Sequence, residues 1–163
     1  MYILIVFLPL FAACLAGFGG RYLGNKGAQI ITIFALFLAV LLAGFAFYTV
    51  GLQHNPSYIH LYPWINVGTF QVNWGFLFDE LTVTMCLMVT FISLLVHTYS
   101  IDYMATDPHQ PRFMAYLSLF TFFMLVLVSG DNLVQLFVGW EGVGLCSYLL
   151  INFWYSRDRK SVV

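Results

Sequence analysis

The sequence predicts an all-α polytopic membrane protein: five transmembrane helices, a short β-hairpin between the second and third on the outer side, the N-terminus outside and the C-terminus inside. Three observations predict this. The chain is 61% hydrophobic and only 8% charged, whereas soluble domains carry about 25% charged residues. Apolar runs near 20 residues long, the length a hydrocarbon core of about 30 Å requires, recur five times. All six Lys and Arg residues fall in alternate connections, as expected if basic segments stay on the side of insertion.

Taken in order, the whole chain, 1–163, reads as a single membrane domain. The first helix is expected over about 2–19, closed by Gly19-Gly20-Arg21. Its opening lacks a basic segment, so it reads as its own insertion signal rather than a cleaved leader. The second is expected over about 28–50, ending at Gly51. The stretch that follows is too polar and too Pro-interrupted to span. Its later half alternates, with Phe70, Val72, Trp74 and Phe76 on one side and Gln71, Asn73 and Gly75 on the other. That is strand periodicity, and Asn66-Val67-Gly68 supplies a turn; Trp64 and Trp74 suit an interfacial aromatic belt.

The third helix is expected over 80–103, capped by Asp79 with Glu80 compensating the helix dipole. The fourth covers 113–129 behind Pro111-Arg112, and the fifth 132–154, with Asp131 as its expected cap. Arg21 and Lys26 lie in the first connection, Arg112 in the third, and Arg157, Arg159 and Lys160 in the tail. Those segments are placed inside, which leaves the N-terminus and hairpin outside.

Several function classes are excluded. A net charge of −1 leaves no basic face for nucleic acid. Cys14, Cys86 and Cys146 stand far apart inside apolar runs, with no CxxC or Cys/His spacing, and read as small buried hydrophobes. His54 and His60 flank Pro56 without a third ligand, so no metal site is expected. Nothing in the sequence suits a nucleotide, flavin, iron–sulfur cluster or haem, and no cofactor is expected in this chain.

One residue contradicts the apolar character of its surroundings. Glu141 lies in LFVGWEGVGLCSYLLINFW, about 14 Å along the fifth helix and so near mid-membrane. An unpaired carboxylate there costs about 2.5–3.5 kcal/mol on insertion scales, so it must face protein or water. Helical spacing puts Tyr148 and Asn152 on the same face, a polar line toward the inner side. Gly139, Gly142 and Gly144 surround the carboxylate; they suit either close approach by a neighbour or water, or ordinary small-residue helix packing. A desolvated carboxylate holds its proton and an approaching cation makes it release it, so a separable ion pair is a proton-loading switch. No span contains a Lys or Arg. The cation must come from another chain, or Glu141 is neutral. On the third helix Thr82, Cys86, Thr90, Ser93, His97 and Ser100 share a direction, which suits either a proton relay through His97 or interhelical hydrogen bonding.

WGFLFDELTVTMCLMVTFISLLVHTYSIDYM (74–104), DPHQPRFMAYLSLFTFFMLVLVSGDNLVQLFVGWEGVGLCSYLLINFW (107–154) and IVFLPLFAACLAGFGGRYLG closely resemble the subunit-five family of mitochondrial NADH dehydrogenase, respiratory complex I. Mrp-type cation/proton antiporter subunits share the Trp-Glu and Ser-Tyr-Leu elements. The resemblance implies an antiporter-like membrane-arm subunit of the mitochondrial inner membrane that takes part in proton translocation coupled to quinone reduction elsewhere. Its inner side is then the matrix, and its partners are neighbouring membrane-arm subunits and lipids. In that family the glutamate matching Glu141 is functional and pairs with a lysine on the seventh helix.

The family's fold is longer, with more than a dozen helices, two inverted repeats and a lateral helix. The resemblance therefore implies that a second polypeptide carries the remaining helices, including the lysine. The end of this chain, Ser156 to Val163, is expected to leave the family pattern just after the fifth helix, on the inner side. Two other readings stay open: a piece of an Mrp-type antiporter, and an inert scaffold in which Glu141 only packs.

Overall fold

In the computed structural model, which describes residues 1–154, helix α1 runs Tyr2–Ala46, 45 residues. At about 1.5 Å per residue a straight helix of that length would be roughly 68 Å, twice the hydrocarbon thickness. It is not straight. Gly24 has φ 68° and ψ −178°, a conformation essentially reserved for glycine, and the chain doubles back there. The reversal brings the Tyr2 hydroxyl to 3.2 Å from Thr49 Oγ1. Ala16 and Ala28, on opposite limbs, share a small core with Ala115. Gly24 lies inside the connection expected between the first two helices, but the residues on either side of it, Gly19 and Gly20 included, are helical. Gly20 lies against Pro111, where an added Cβ would come within 2.8 Å of the ring.

The second limb ends in a π-helical turn, Phe47–Leu52, where an ordinary helix to Val50 was expected. Within it Thr49 Oγ1 donates toward the carbonyls of Phe45 and Ala46, at 3.1 and 3.2 Å. Two antiparallel strands follow, β1 (Ser57–Val67) and β2 (Phe70–Phe78). Asn66 and Val67 remain in β1, so the loop is Gly68-Thr69, and Gly68 supplies the positive φ of 59° that the turn requires. Val72, Phe76 and Phe78 are buried as the alternation directs, while Phe70 near the tip is exposed. Trp64 and Trp74 pack edge to face at 5.1 Å.

Helix α2 (Glu80–Tyr103) starts behind Asp79, whose Oδ1 accepts from the Thr82 N–H at 2.7 Å. Glu80 engages the imidazole of His54. Helix α3 (Gln110–Ser129) begins three residues ahead of the expected 113, because Pro111 in the first turn gives up no helical hydrogen bond. Helix α4 (Leu133–Ile151) runs into a short 3-10 turn, Asn152–Trp154. Its cap is Asn132, which accepts from the Gln135 N–H at 2.9 Å, and not Asp131. The Asp131 carboxylate is turned instead to the hairpin, where it accepts from the Tyr58 hydroxyl at 2.8 Å. Arg157, Arg159 and Lys160, on which part of the orientation argument rests, lie outside the described residues.

Helix α3 is the hub, packing against α1, α2 and α4. The hairpin closes one end of the bundle: Phe76 and Phe78 join Ile5, Val6, Val50, Val83 and Leu125 in the main core, and Phe78 packs on Tyr2 at 4.9 Å. Among the described residues four helices are long and apolar enough to cross a membrane: Tyr2–Leu52, which is the doubled one, Glu80–Tyr103, Gln110–Ser129 and Leu133–Trp154.

Candidate functional site

Helix α4 has two unlike faces. Gln135, Gly139, Gly142 and Cys146 recur at helical spacing and are buried against α3. A Cβ added at Gly139 would lie 2.7 Å from the backbone of Leu127, and one at Gly142 would lie 2.2 Å from the Phe123 ring. These two glycines are what lets α4 settle onto α3. Of the two sequence readings, close helix packing applies to them. Gly144 differs, since nothing lies within 4 Å of a Cβ built there.

Glu141, Tyr148 and Asn152 occupy the other face, and all three are exposed. The structure brings them onto one line, Glu141 and Tyr148 separated by about 10 Å of helix axis. Their surroundings are apolar: Phe137, Trp140 and Leu145 are each more than half exposed. Among the described residues the ion pair is His54 with Glu80, at the hairpin end, and none involves Glu141. A carboxylate left facing lipid at this depth would cost about 2.5–3.5 kcal/mol. The face that carries it is therefore one that further protein or water must cover.

His97 is the opposite case. It is fully buried between α2 and α3, its Nδ1 2.8 Å from the Ser93 carbonyl and its Nε2 3.0 Å from Ser118 Oγ. A carbonyl can only accept, so Nδ1 carries the proton and Nε2 accepts from the Ser118 hydroxyl. Ser93 Oγ lies 2.5 Å from Thr121 Oγ1, whose hydroxyl is also 3.0 Å from the Leu117 carbonyl. The stripe read from the sequence is thus half of a network; Ser118 and Thr121 on α3 are the other half. Their signal was two hydroxyls three residues apart in an apolar helix. The structure does not bring His97 to Glu141, whose carboxylate points away from α3.

Sequence reasoning also missed Gln135. Fully buried, it accepts from the Gly75 N–H through Oε1 at 3.2 Å, while its Nε2 has no partner. With the Asn132 amide donating to the Asn73 carbonyl at 2.7 Å and Tyr58 donating to Asp131, it fastens the hairpin to the start of α4. The Asp131 carboxylate that accepts the Tyr58 hydroxyl, aided by slight burial and its negative charge, holds that phenol above its ordinary value of 10.0.

Residues 64–114 match the family described as NADH-Ubiquinone oxidoreductase (complex I), chain 5 N-terminus, and residues 130–162 match NADH:quinone oxidoreductase/Mrp antiporter, TM. The NADH-ubiquinone oxidoreductase chain 5 of Arabidopsis thaliana is 59% identical over 157 residues, 96% of this chain. The chain 5 proteins of Marchantia polymorpha and Rhizopus stolonifer are 57% and 55% identical over 99% and 96% of it. The chain belongs to the complex I chain 5 family. It spans 24% of the length of these relatives. The match reaching residue 162 corrects one expectation: the family pattern continues through the tail and does not stop at Ser156. Within the chain 5 family α4, with Glu141, falls inside the antiporter-type match, and the hairpin's second strand with α2 inside the N-terminal one.

Proposed function

We propose that this chain serves in the membrane arm of a mitochondrial NADH:ubiquinone oxidoreductase, where Glu141 takes up and releases a proton during translocation. The observation that carries this is the exposed carboxylate on a face whose opposite side is closed by glycine packing. The bundle spends its tight contacts on the Gln135–Cys146 stripe and leaves Glu141 for a group beyond these residues. That group is a cation able to approach and withdraw, supplied by the part of the subunit that these residues do not include. Tyr148 and Asn152 line the path toward the inner side. His97 lines a second one between α2 and α3, where its engaged tautomer requires Ser118 to rotate before a proton moves on.

In this reading the chain crosses the membrane five times, the two limbs of α1 counting separately. The 3.2 Å approach of Tyr2 to Thr49 supports two crossings there. Arg21, Lys26 and Arg112 lie on the matrix side and the hairpin on the other. In the same reading its part in the oxidoreductase is proton translocation and not electron transfer, beside neighbouring membrane-arm subunits.

Replacing Glu141 with Gln keeps the side-chain shape and removes the titration. In the assembled complex, protons pumped per NADH oxidised should fall while the complex still assembles. Unchanged pumping with normal assembly would leave Glu141 as scaffold. An Mrp-type antiporter without redox coupling is separated by co-purification, since only the proposed function requires NADH oxidation activity to travel with the chain.

A further inference from the structure

Near the Gly24 bend, a groove opens between the first limb of α1 and α3. Ala13, Gly17 and Phe18 line one wall, Ala115 and Leu119 the other, and Arg112 stands at the mouth of a space of about 470 Å³. The floor is low because its residues are small: a Cβ added at Gly17 would meet only the Cβ of Ala115, at 3.5 Å. Phe18 stands 88% exposed at the rim. From Arg112 to Leu119 the groove runs about 10 Å down the helix axis.

Arg112 is held in place without being neutralised. Its Nε donates to the Tyr116 hydroxyl at 2.8 Å, and its guanidinium carbon lies 5.3 Å from the centre of the Tyr116 ring and 5.9 Å from that of Phe153. Among the described residues no carboxylate pairs with it. Asp107, five residues earlier, accepts from the His109 N–H and the Trp154 indole. Arg21 and Lys26 flank the bend at the same end, both exposed.

We propose that this groove seats one acyl chain of a membrane phospholipid whose anionic headgroup is bound by the Arg112 guanidinium. The two halves of the site ask for the two halves of that ligand. A planar cation in the first turn of a spanning helix sits at headgroup level, where guanidinium binds phosphate through paired N–H donors. The apolar trough below it runs the way an acyl chain runs. A free phosphate would leave the trough unused, and a packed helix would have to bring an acid to Arg112. Basic side chains near an anionic surface favour it by about fivefold each. The inference rests on the chain lying in a bilayer and not on any role for Glu141.

The test uses the assembled, detergent-solubilised membrane complex and two photoreactive lipids, phosphatidylglycerol and phosphatidylcholine, each with a diazirine at mid-chain. Phosphatidylglycerol should label peptides covering 13–18 and 115–119 about fivefold more than phosphatidylcholine. Arg112→Gln should bring it down to the phosphatidylcholine level, and Arg112→Lys should restore part of the difference. Gly17→Leu, which fills the trough, should remove labelling by both lipids in a complex that still oxidises NADH. Equal labelling by the two lipids, indifference to Arg112→Gln, or no labelling because protein covers the groove would each overturn the proposal.

Discussion

His97 lies between α2 and α3 with both ring nitrogens engaged, whereas Glu141, on the far side of α4, has its carboxylate on the open surface. Both are ionisable residues in apolar helices, where bare polarity is expensive. The difference is who supplies the partner. For His97 the neighbouring helix of the same chain does, through Ser118, so the group is part of what holds α2 to α3. For Glu141 nothing in the described chain does, so its energetics belong to an assembly larger than these residues. The glycines of α4 make the same distinction, since Gly139 and Gly142 are filled by α3 and Gly144 faces open space.

The contrast breaks most readily at those glycines. Gly142→Ala puts a methyl where the Phe123 ring lies and should destabilise the α3–α4 pair by about 1–3 kcal/mol, with Gly139→Ala close behind. Gly144→Ala should stay within about 0.5 kcal/mol. Thermal unfolding of the solubilised complex reads all three, and an equal loss at Gly144 would mean that the open face is already packed. Next comes His97→Leu, which leaves the buried Ser118 hydroxyl without its imidazole partner and should cost about 1–3 kcal/mol. Tyr148→Phe and Asn152→Ala should leave stability within about 0.5 kcal/mol and alter proton transfer alone.

A smaller loss than at His97 is expected at the hairpin latch. Tyr58→Phe removes one half-exposed hydrogen bond and should cost no more than about 0.5–1.5 kcal/mol. Because the folded phenol titrates above 10.0, this contribution is complete below pH 10 and is lost as pH rises through the raised value. Asp131→Asn should return Tyr58 toward its ordinary titration, seen in the tyrosinate absorbance difference between Asp131→Asn and the same chain with Tyr58→Phe. An unshifted titration would show that Asp131 is not what holds the phenol.

Features set by adjacent residues could be read directly. Asp79-Glu80 marks the start of α2 because its capping partner, Thr82, is three residues away. The Phe70–Phe76 alternation marks β2 because strand geometry is local. Where tertiary contacts chose between near-equal local options, the sequence was silent. Gly19, Gly20 and Gly24 are all able to break a helix, and local sequence does not say that Gly24 is the one that takes the positive φ. Asp131 and Asn132 both make good caps, and Tyr58, 73 residues away, claims the first. At the candidate site, helical spacing put Glu141, Tyr148 and Asn152 on one line, yet could not say whether that line faced α3. Gln135 was invisible for the same reason, since its acceptor role depends on Gly75 in the hairpin.

The central claim is that Glu141 exchanges a proton during turnover, and infrared difference spectroscopy of the assembled complex tests it most directly. Comparing the complex at rest with the complex oxidising NADH should show a protonated-carboxyl C=O band that rises or falls with turnover, shifts in deuterium oxide and is missing in Glu141→Gln. A turnover spectrum that Glu141→Gln leaves unchanged would contradict the account and leave the carboxylate as part of the packing.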